Sequence, residues 1–288
     1  MLKLKRAWAG VRVVATPLPD VWHALRREQI QFRKGQVCMV AAAPNNGKSM
    51  FALVYAIKSQ VPTLFFSADT DTSTVMLRAA AHLSGHSQVT VENTLLTEPH
   101  HYDKYLSQMD KIQWVFDSSP NLDDIEMEVK AYVELFGVFP ELIIVDNLMN
   151  VVAEHDNEWA GLRDIMMNLH DLARKTEACV LVLHHVSEAS EYGSTTMPAP
   201  RRAIHGKVSQ LPAVILTLGY DPSQGMLRVA AVKNRFGPHY ADASRHATLF
   251  TNFSACSIGD DDSQGRSYLR QNEQAVNYYG QYEESEGY

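Results

Sequence analysis

The chain has 288 residues, the apolar content of a globular protein and a net charge of −7. That length fits one large α/β core with arms or two small domains, and no apolar run nears the roughly 20 residues of a membrane-spanning helix. Cys38, Cys179 and Cys256 are odd in number and far apart, two of them in apolar runs, so a disulfide framework or zinc site is not expected and a reducing cytoplasm fits.

Met1 to Arg6 is basic, but Gly10 and Arg12 interrupt the apolar stretch after it, which makes a poor signal peptide. Val21 to Phe32 has the make-up of a short helix. Val37 to Ala42 is a continuous apolar run, hence a buried strand, and Lys48 to Gln60 places Phe51, Val54, Tyr55 and Ile57 at helical spacing. Thr63 to Ala68 is a second buried run, and Thr72 to Leu83 a helix. A strand is expected at Trp114 to Asp117. Asn121 then caps a helix to Phe136, with Asp123, Asp124 and Glu126 in its first turn, where carboxylates suit the helix dipole. Leu142 to Leu148 is a strand carrying Asp146, Asn157 to Lys175 an amphipathic helix, and Ala178 to Val186 another strand. Buried strands alternating with helices imply an α/β fold with a mostly parallel sheet covered on both faces.

Beyond Val186 the pattern changes. Ser187 to Gly206 is long and polar and reads as a mobile functional loop. Ala213 to Tyr220 and Met226 to Lys233, joined by Asp221-Pro-Ser-Gln-Gly225, have a hairpin signature, and Thr248 to Phe253 adds a strand. From Ile258 to Tyr288, three Asp and four Glu face two Arg, so this stretch alone contributes −5 and leaves the rest near neutral. The expected division is an arm over 1–33, a core over 34–256 and an acidic, disordered tail over 257–288.

The strongest motif is Ala42-Ala43-Pro44-Asn45-Asn46-Gly47-Lys48-Ser49, between a strand and a helix and running on into Met50. In that context the loop amides and the helix start cradle phosphates, Lys48 is a compact cation for the β- and γ-phosphates, and the Ser49 hydroxyl ligates Mg²⁺. Ala42 stands where the strict motif has Gly. Four apolar residues followed by Asp146 form the second half of such a site, an acidic strand end beside the metal. ATP and Mg²⁺ are therefore the expected cofactors.

These residues resemble the DnaB-like hexameric helicases of the RecA superfamily, in the core-only form carried by phages and plasmids. The likeness lies in Ala42 and Pro44, in Phe51-Ala52-Leu53, in Phe66-Ser67-Ala68-Asp69 with Arg78 nine residues on, and in Lys233-Asn-Arg235-Phe-Gly237-Pro238. It runs from about Leu18 to Phe253 and implies a RecA-like ATPase core. It also implies that Asp69 takes the place of a catalytic Glu, one methylene short, with Asp71 either assisting or capping a helix. His185 then occupies the γ-phosphate sensor position, while His184 is either a functional or a core residue. Lys233 and Arg235 act on a neighbouring subunit's nucleotide, which requires a ring or filament, with a hexamer as the expected form. Val21 to Phe32 docks on a neighbour or on its own core. Arg201, Arg202 and Lys207 contact single-stranded or forked DNA. Apart from the resemblance, the charge of the acidic tail fits recruiting replication partners, competing with DNA for the basic loop, or keeping the protein soluble. The function implied is an ATP-dependent DNA motor in replication or recombination. Three alternatives remain open: a RecA-like recombination ATPase without unwinding, a metal-dependent nuclease using Asp69, Asp71 and Asp146, and a non-catalytic nucleotide-gated assembly protein, which Asp69 in place of Glu would allow.

Overall fold

The computed structural model describes residues 16–153, 157–187 and 196–260. In chain order these form α1 (His23–Arg27), β1 (Val37–Ala42), α2 (Lys48–Ser59), β2 (Thr63–Ser67), α3 (Thr72–Ser84), α4 (Gln88–Thr97), α5 (Asp103–Leu106) and β3 (Ile112–Val115). Next come α6 (Leu122–Phe136), β4 (Leu142–Asp146), α7 (Glu158–Thr176), β5 (Cys179–His185), β6 (Val214–Asp221), β7 (Met226–Asn234), β8 (Ala247–Asn252) and β9 (Ser257–Gly259). The strands make one nine-stranded sheet in the order β3-β2-β4-β5-β1-β6-β7-β8-β9. Pairing is parallel from β3 to β6 and antiparallel from β6 to β9. This is the expected α/β architecture, with an antiparallel extension built on the anticipated hairpin.

The continuous apolar runs become strands buried on both faces, since one set of side chains packs on each side of the sheet. Val40, Leu181 and Leu216 belong to a core shared with α2, and Met39, Val180 and Ile215 to a core shared with α6 and α7. Local chemistry sets the helix ends. Asn121 Oδ1 accepts from the Asp123 and Asp124 amides at 2.8 and 3.0 Å, Asp124 Oδ2 accepts back from the Asn121 amide at 2.9 Å, and Gly137 closes α6 at φ +71°.

Four stretches correct the sequence-based expectation, decide between its alternatives or go beyond it. Gln88–Thr97 is helical, although threonine and valine are common in it; Ser87 caps its start through the Thr90 amide at 3.0 Å, and Val91 packs with Tyr102. The arm from Leu18 to Phe32 packs on its own core. Trp22 lies 4.8 Å from the Phe51 ring and Phe32 meets Tyr55 edge-on at 4.9 Å, which is the own-core alternative of the two weighed. The expected disordered tail begins too early: Ser257–Gly259 is a strand, Ile258 is buried, and Asp260 accepts from the His23 and Ala24 amides at 2.8 and 2.7 Å. Asp260 thereby caps α1 and ties the described end of the chain to the first turn of the fold. The acidic run from Asp261 onward lies outside the described residues. Finally, Arg201–Ala203 and His205–Gln210 form 3₁₀ turns with Ala203, Ile204 and Val208 buried, so this half of the expected mobile loop is anchored. Residues 188–195 of it are outside the described set.

A candidate nucleotide site at the strand ends

In an open parallel sheet, ligands bind beyond the carboxyl ends of the strands, where a strand order reverses. Here β2, β4, β5 and β1 are consecutive, and their registers align Ser67 with Asp146 and Ala42 with His185. Asp69, Asp146, His185 and the loop after Ala42 therefore emerge along one edge.

The loop turns through Asn45 at φ +62° and Gly47 at φ +78°, with the Asn46 amide donating to Ala43 O at 3.3 Å. Positive φ is strained for most residues and is why glycine stands at 47. Pro44 and Asn45 are exposed, Ala43 is half-buried, and α2 starts at Lys48, so its first amides have no acceptor within the helix. Met50, the last residue of the expected nucleotide-binding stretch, is buried and lines the same cleft as Lys48 and Ser49. The turn between β8 and β9 closes over this loop. Gln88 Nε2 donates to Phe253 O at 3.0 Å, the Gln88 amide donates to Ser254 O at 2.7 Å, and His82 Nδ1 lies 2.9 Å from Cys256 O. With Arg78, these elements bound a cleft of 260 Å³ against Lys48 and Ser49.

The charges within are few and poorly solvated. Burial pulls the Lys48 pKa down, opposed by Asp146 and Asp69. Asp146 is 2% exposed; burial and then the nearby Asp69 charge push its pKa up to about 6, against a hydrogen bond from the Ser49 hydroxyl and the charges of Lys48 and Arg78. Asp146 Oδ1 is buried and has no hydrogen-bond partner among the described residues. A carboxylate oxygen so placed, next to a serine hydroxyl, suits a hard divalent cation, which takes oxygen donors and relieves the desolvated charge. Ser49 and Asp146 thus fit Mg²⁺.

Asp69 is exposed. Its Oδ2 accepts from the Asn147 side-chain amide, and that same nitrogen lies 3.3 Å from His185 Nε2. Asn147 is the functional neighbour that motif reading misses; its only signal in the sequence is an amide directly after the acidic strand end. Asp71 does what a helix cap does, accepting from the Thr74 amide at 3.0 Å and the Thr74 hydroxyl at 2.7 Å. Among the described residues no group of three or more His, Cys, Asp or Glu side chains is disposed to hold a metal, so Asp69, Asp71 and Asp146 do not share an ion. His184 is a core residue: fully buried, with Nε2 2.9 Å from His205 O and Nδ1 unpartnered among the described residues. Burial takes its pKa down to about 4.

The remaining candidates lie elsewhere. The start of β6 pairs with the start of β1 and the end of β7 with the start of β6, which puts Lys233 and Arg235 toward the opposite edge of the sheet from the phosphate loop. The Arg235 amide donates to Ala213 O and the Ala213 amide to Val37 O, five residues before Ala42 and so roughly 16 Å along the strand direction. Lys233 Nζ donates to Ser209 O at 3.1 Å and Gln210 O at 2.6 Å, and burial with the charges of Arg235 and Arg201 lowers its pKa to about 8. Arg201 Nη2 donates to the same Ser209 carbonyl at 3.0 Å. Arg201 and Arg202 line a second cleft, of 640 Å³, with Gln210 and Asp242. Lys207 belongs to the turn His205–Gln210.

Residues 21–201 match the DnaB-like helicase C terminal domain. The Gene 65 protein of Mycobacterium phage L5 is 41% identical over 243 residues, covering 81% of this chain and 89% of that protein. The replicative DNA helicase DnaB of Pasteurella multocida is 28% identical over 75% of the chain, which spans 50% of that longer relative. In fold, a solved ATPase domain superposes with a TM-score of 0.74 at 15% identity, over 90% of this chain and 96% of that one. With the family match running through both the phosphate loop and the acidic strand end, the chain belongs to the DnaB-like helicase C-terminal domain family.

Proposed function

We propose that the protein is an ATP-driven DNA helicase core that works as a homo-oligomeric ring, a hexamer by the family resemblance, on single-stranded or forked DNA. The observation that carries the reading is the convergence of Lys48, Ser49, Asp69, Asp146 and His185 along one edge of four adjacent parallel strands. Loop residues 43–47 and the first amides of α2 bind the phosphates, and Lys48 sets its charge against the β- and γ-phosphates. Ser49 and Asp146 hold Mg²⁺, which when bound offsets phosphate charge. Asp69 orients and deprotonates the attacking water, and His185 faces the terminal phosphate.

Arg235 is too far along the sheet to serve its own phosphate loop, which supports a role with Lys233 on a neighbouring subunit's site. Arg201, Arg202 and Lys207 supply cationic contacts for a nucleic-acid backbone. Replication in a host cytoplasm is the setting that fits, with the acidic tail as a surface for replication partners. No helix among the described residues is long and apolar enough to cross a membrane.

A forked-DNA assay with and without ATP tests the reading. Unwinding that needs ATP and Mg²⁺ and disappears in Lys48→Ala supports it. Cleavage of the fork by metal without ATP, or ATP turnover with DNA binding but no unwinding, overturns it in favour of a nuclease or a recombination ATPase.

A further inference from the structure

Asn147 follows the metal-binding strand end and is 3% exposed. Its Oδ1 accepts from the Met149 amide at 2.8 Å, in the 3₁₀ turn Leu148–Asn150 that it caps. That bond fixes which way the amide points. Rotated by half a turn, its NH₂ would face the Met149 N–H and its carbonyl would face the Asp69 carboxylate, donor against donor and acceptor against acceptor. In the observed orientation Nδ2 donates to Asp69 Oδ2 and lies 3.3 Å from His185 Nε2.

We propose that Asn147 is a positioning residue that fixes Asp69 and His185 relative to each other and to the terminal phosphate, a proposal resting on the ATPase reading above. Asp69 stands two residues beyond the end of β2, and the Ala68 amide before it is tied to Asp146 O at the end of β4 at 2.8 Å. Its short side chain cannot choose among many positions from there. The Asn147 amide engages one carboxylate oxygen and leaves the other to take a proton from water. The same amide makes the position of His185, at the end of β5, depend on that of Asp69. A misplacement of about 1 Å in such a group costs on the order of 10²-fold in rate, so the bridge matters more for a short carboxylate than for a long one.

Asn147→Ala and Asn147→Asp test this together. The Asp variant keeps an acceptor for the Met149 amide and replaces the donor to Asp69 with an oxygen that repels it, so it breaks the bridge and preserves the turn where the Ala variant fails to fold. We expect each folded variant to bind a fluorescent ADP analogue within about twofold of wild type, with KM for ATP little changed and kcat reduced at least about tenfold. A non-hydrolysable ATP analogue should no longer change affinity for an oligo-dT strand. Adding Asp69→Glu to Asn147→Ala should recover part of kcat and none of the analogue's effect on DNA affinity. Wild-type kcat in Asn147→Asp, or a loss confined to nucleotide affinity in either folded variant, overturns the proposal. A wild-type protein without affinity for the ADP analogue would instead overturn the ATPase reading beneath it.

Discussion

Phe253 lies over Gly47: a Cβ added to the glycine would come within 2.9 Å of the ring's Cζ. The ring has little room to retreat, since it packs 4.2 Å from Tyr220, and Gly47 itself holds φ +78°. Gly47→Ala should therefore lose about 1–2 kcal/mol from backbone strain alone and displace the ring from the cleft. The expected result is a lower melting temperature with at least tenfold weaker nucleotide binding. Adding Phe253→Leu should recover some stability, because it relieves the clash and leaves the strain. Undiminished binding in Gly47→Ala would show that Phe253 does not close the site.

Arg235 and Lys48 belong to opposite edges of one subunit's sheet. If each site is completed by a neighbour, Arg235→Ala and Lys48→Ala proteins are both inactive alone yet complement when mixed, since an intact phosphate loop then meets an intact arginine. Mixed rings should show measurable ATP turnover above the sum of the parents. No recovery after verified subunit exchange would place Arg235 outside the neighbouring site.

Arg202 is exposed, while Arg201 is tied to the Ser209 carbonyl. Arg202→Ala should weaken oligo-dT binding and lower the slope of log affinity against log salt by about 1. Arg201→Ala should also lower thermal stability, because it removes the bond to the Ser209 carbonyl. An unchanged salt slope in both variants would move the DNA contact away from this cleft.

His184 gives the fold a defined acid sensitivity. Its folded-state pKa is depressed from 6.5 to about 4 by burial, so in acid the unfolded chain binds the proton and the native one does not. Stability from this residue is full above pH 6.5 and declines as pH falls toward 4, by on the order of 3 kcal/mol at the limit. His82, lowered to about 4 for the same reason, acts in the same direction. Urea unfolding of wild type and His184→Gln between pH 4.5 and 7.5 should show a flatter pH dependence for the variant. Parallel curves would mean that the ring is protonated without cost in the native state.

Much of this architecture is readable from residue patterns because the patterns are redundant. Val37 to Ala42 forms a strand over those same residues, and the Asn121–Asp124 capping box starts α6 where the sequence places it. The phosphate loop and Asp146 are legible for the same reason, each sitting where a strand ends. The features that escape such reading are governed by distant partners. Gln88 to Thr97 has weak helical patterning, and its packing on Val91 and Tyr102 decides its state. Ser257 to Asp260 looks like the start of an acidic tail until Asp260 finds the amides of α1, more than two hundred residues earlier. Phe253 and Asn147 reach the site through side-chain contacts that no local spacing encodes.

Binding of a nucleoside triphosphate with Mg²⁺ by Lys48, Ser49 and Asp146 underlies every step proposed for this protein, and thermal unfolding with and without ligand measures it. At about 100 times its Kd, MgATP should stabilise wild type by roughly 2.7 kcal/mol. EDTA should remove most of that gain, Asp146→Asn should show little of it, and Lys48→Ala almost none. A wild-type melting curve that MgATP does not shift, or an equal shift in Lys48→Ala, would refute nucleotide binding at this loop.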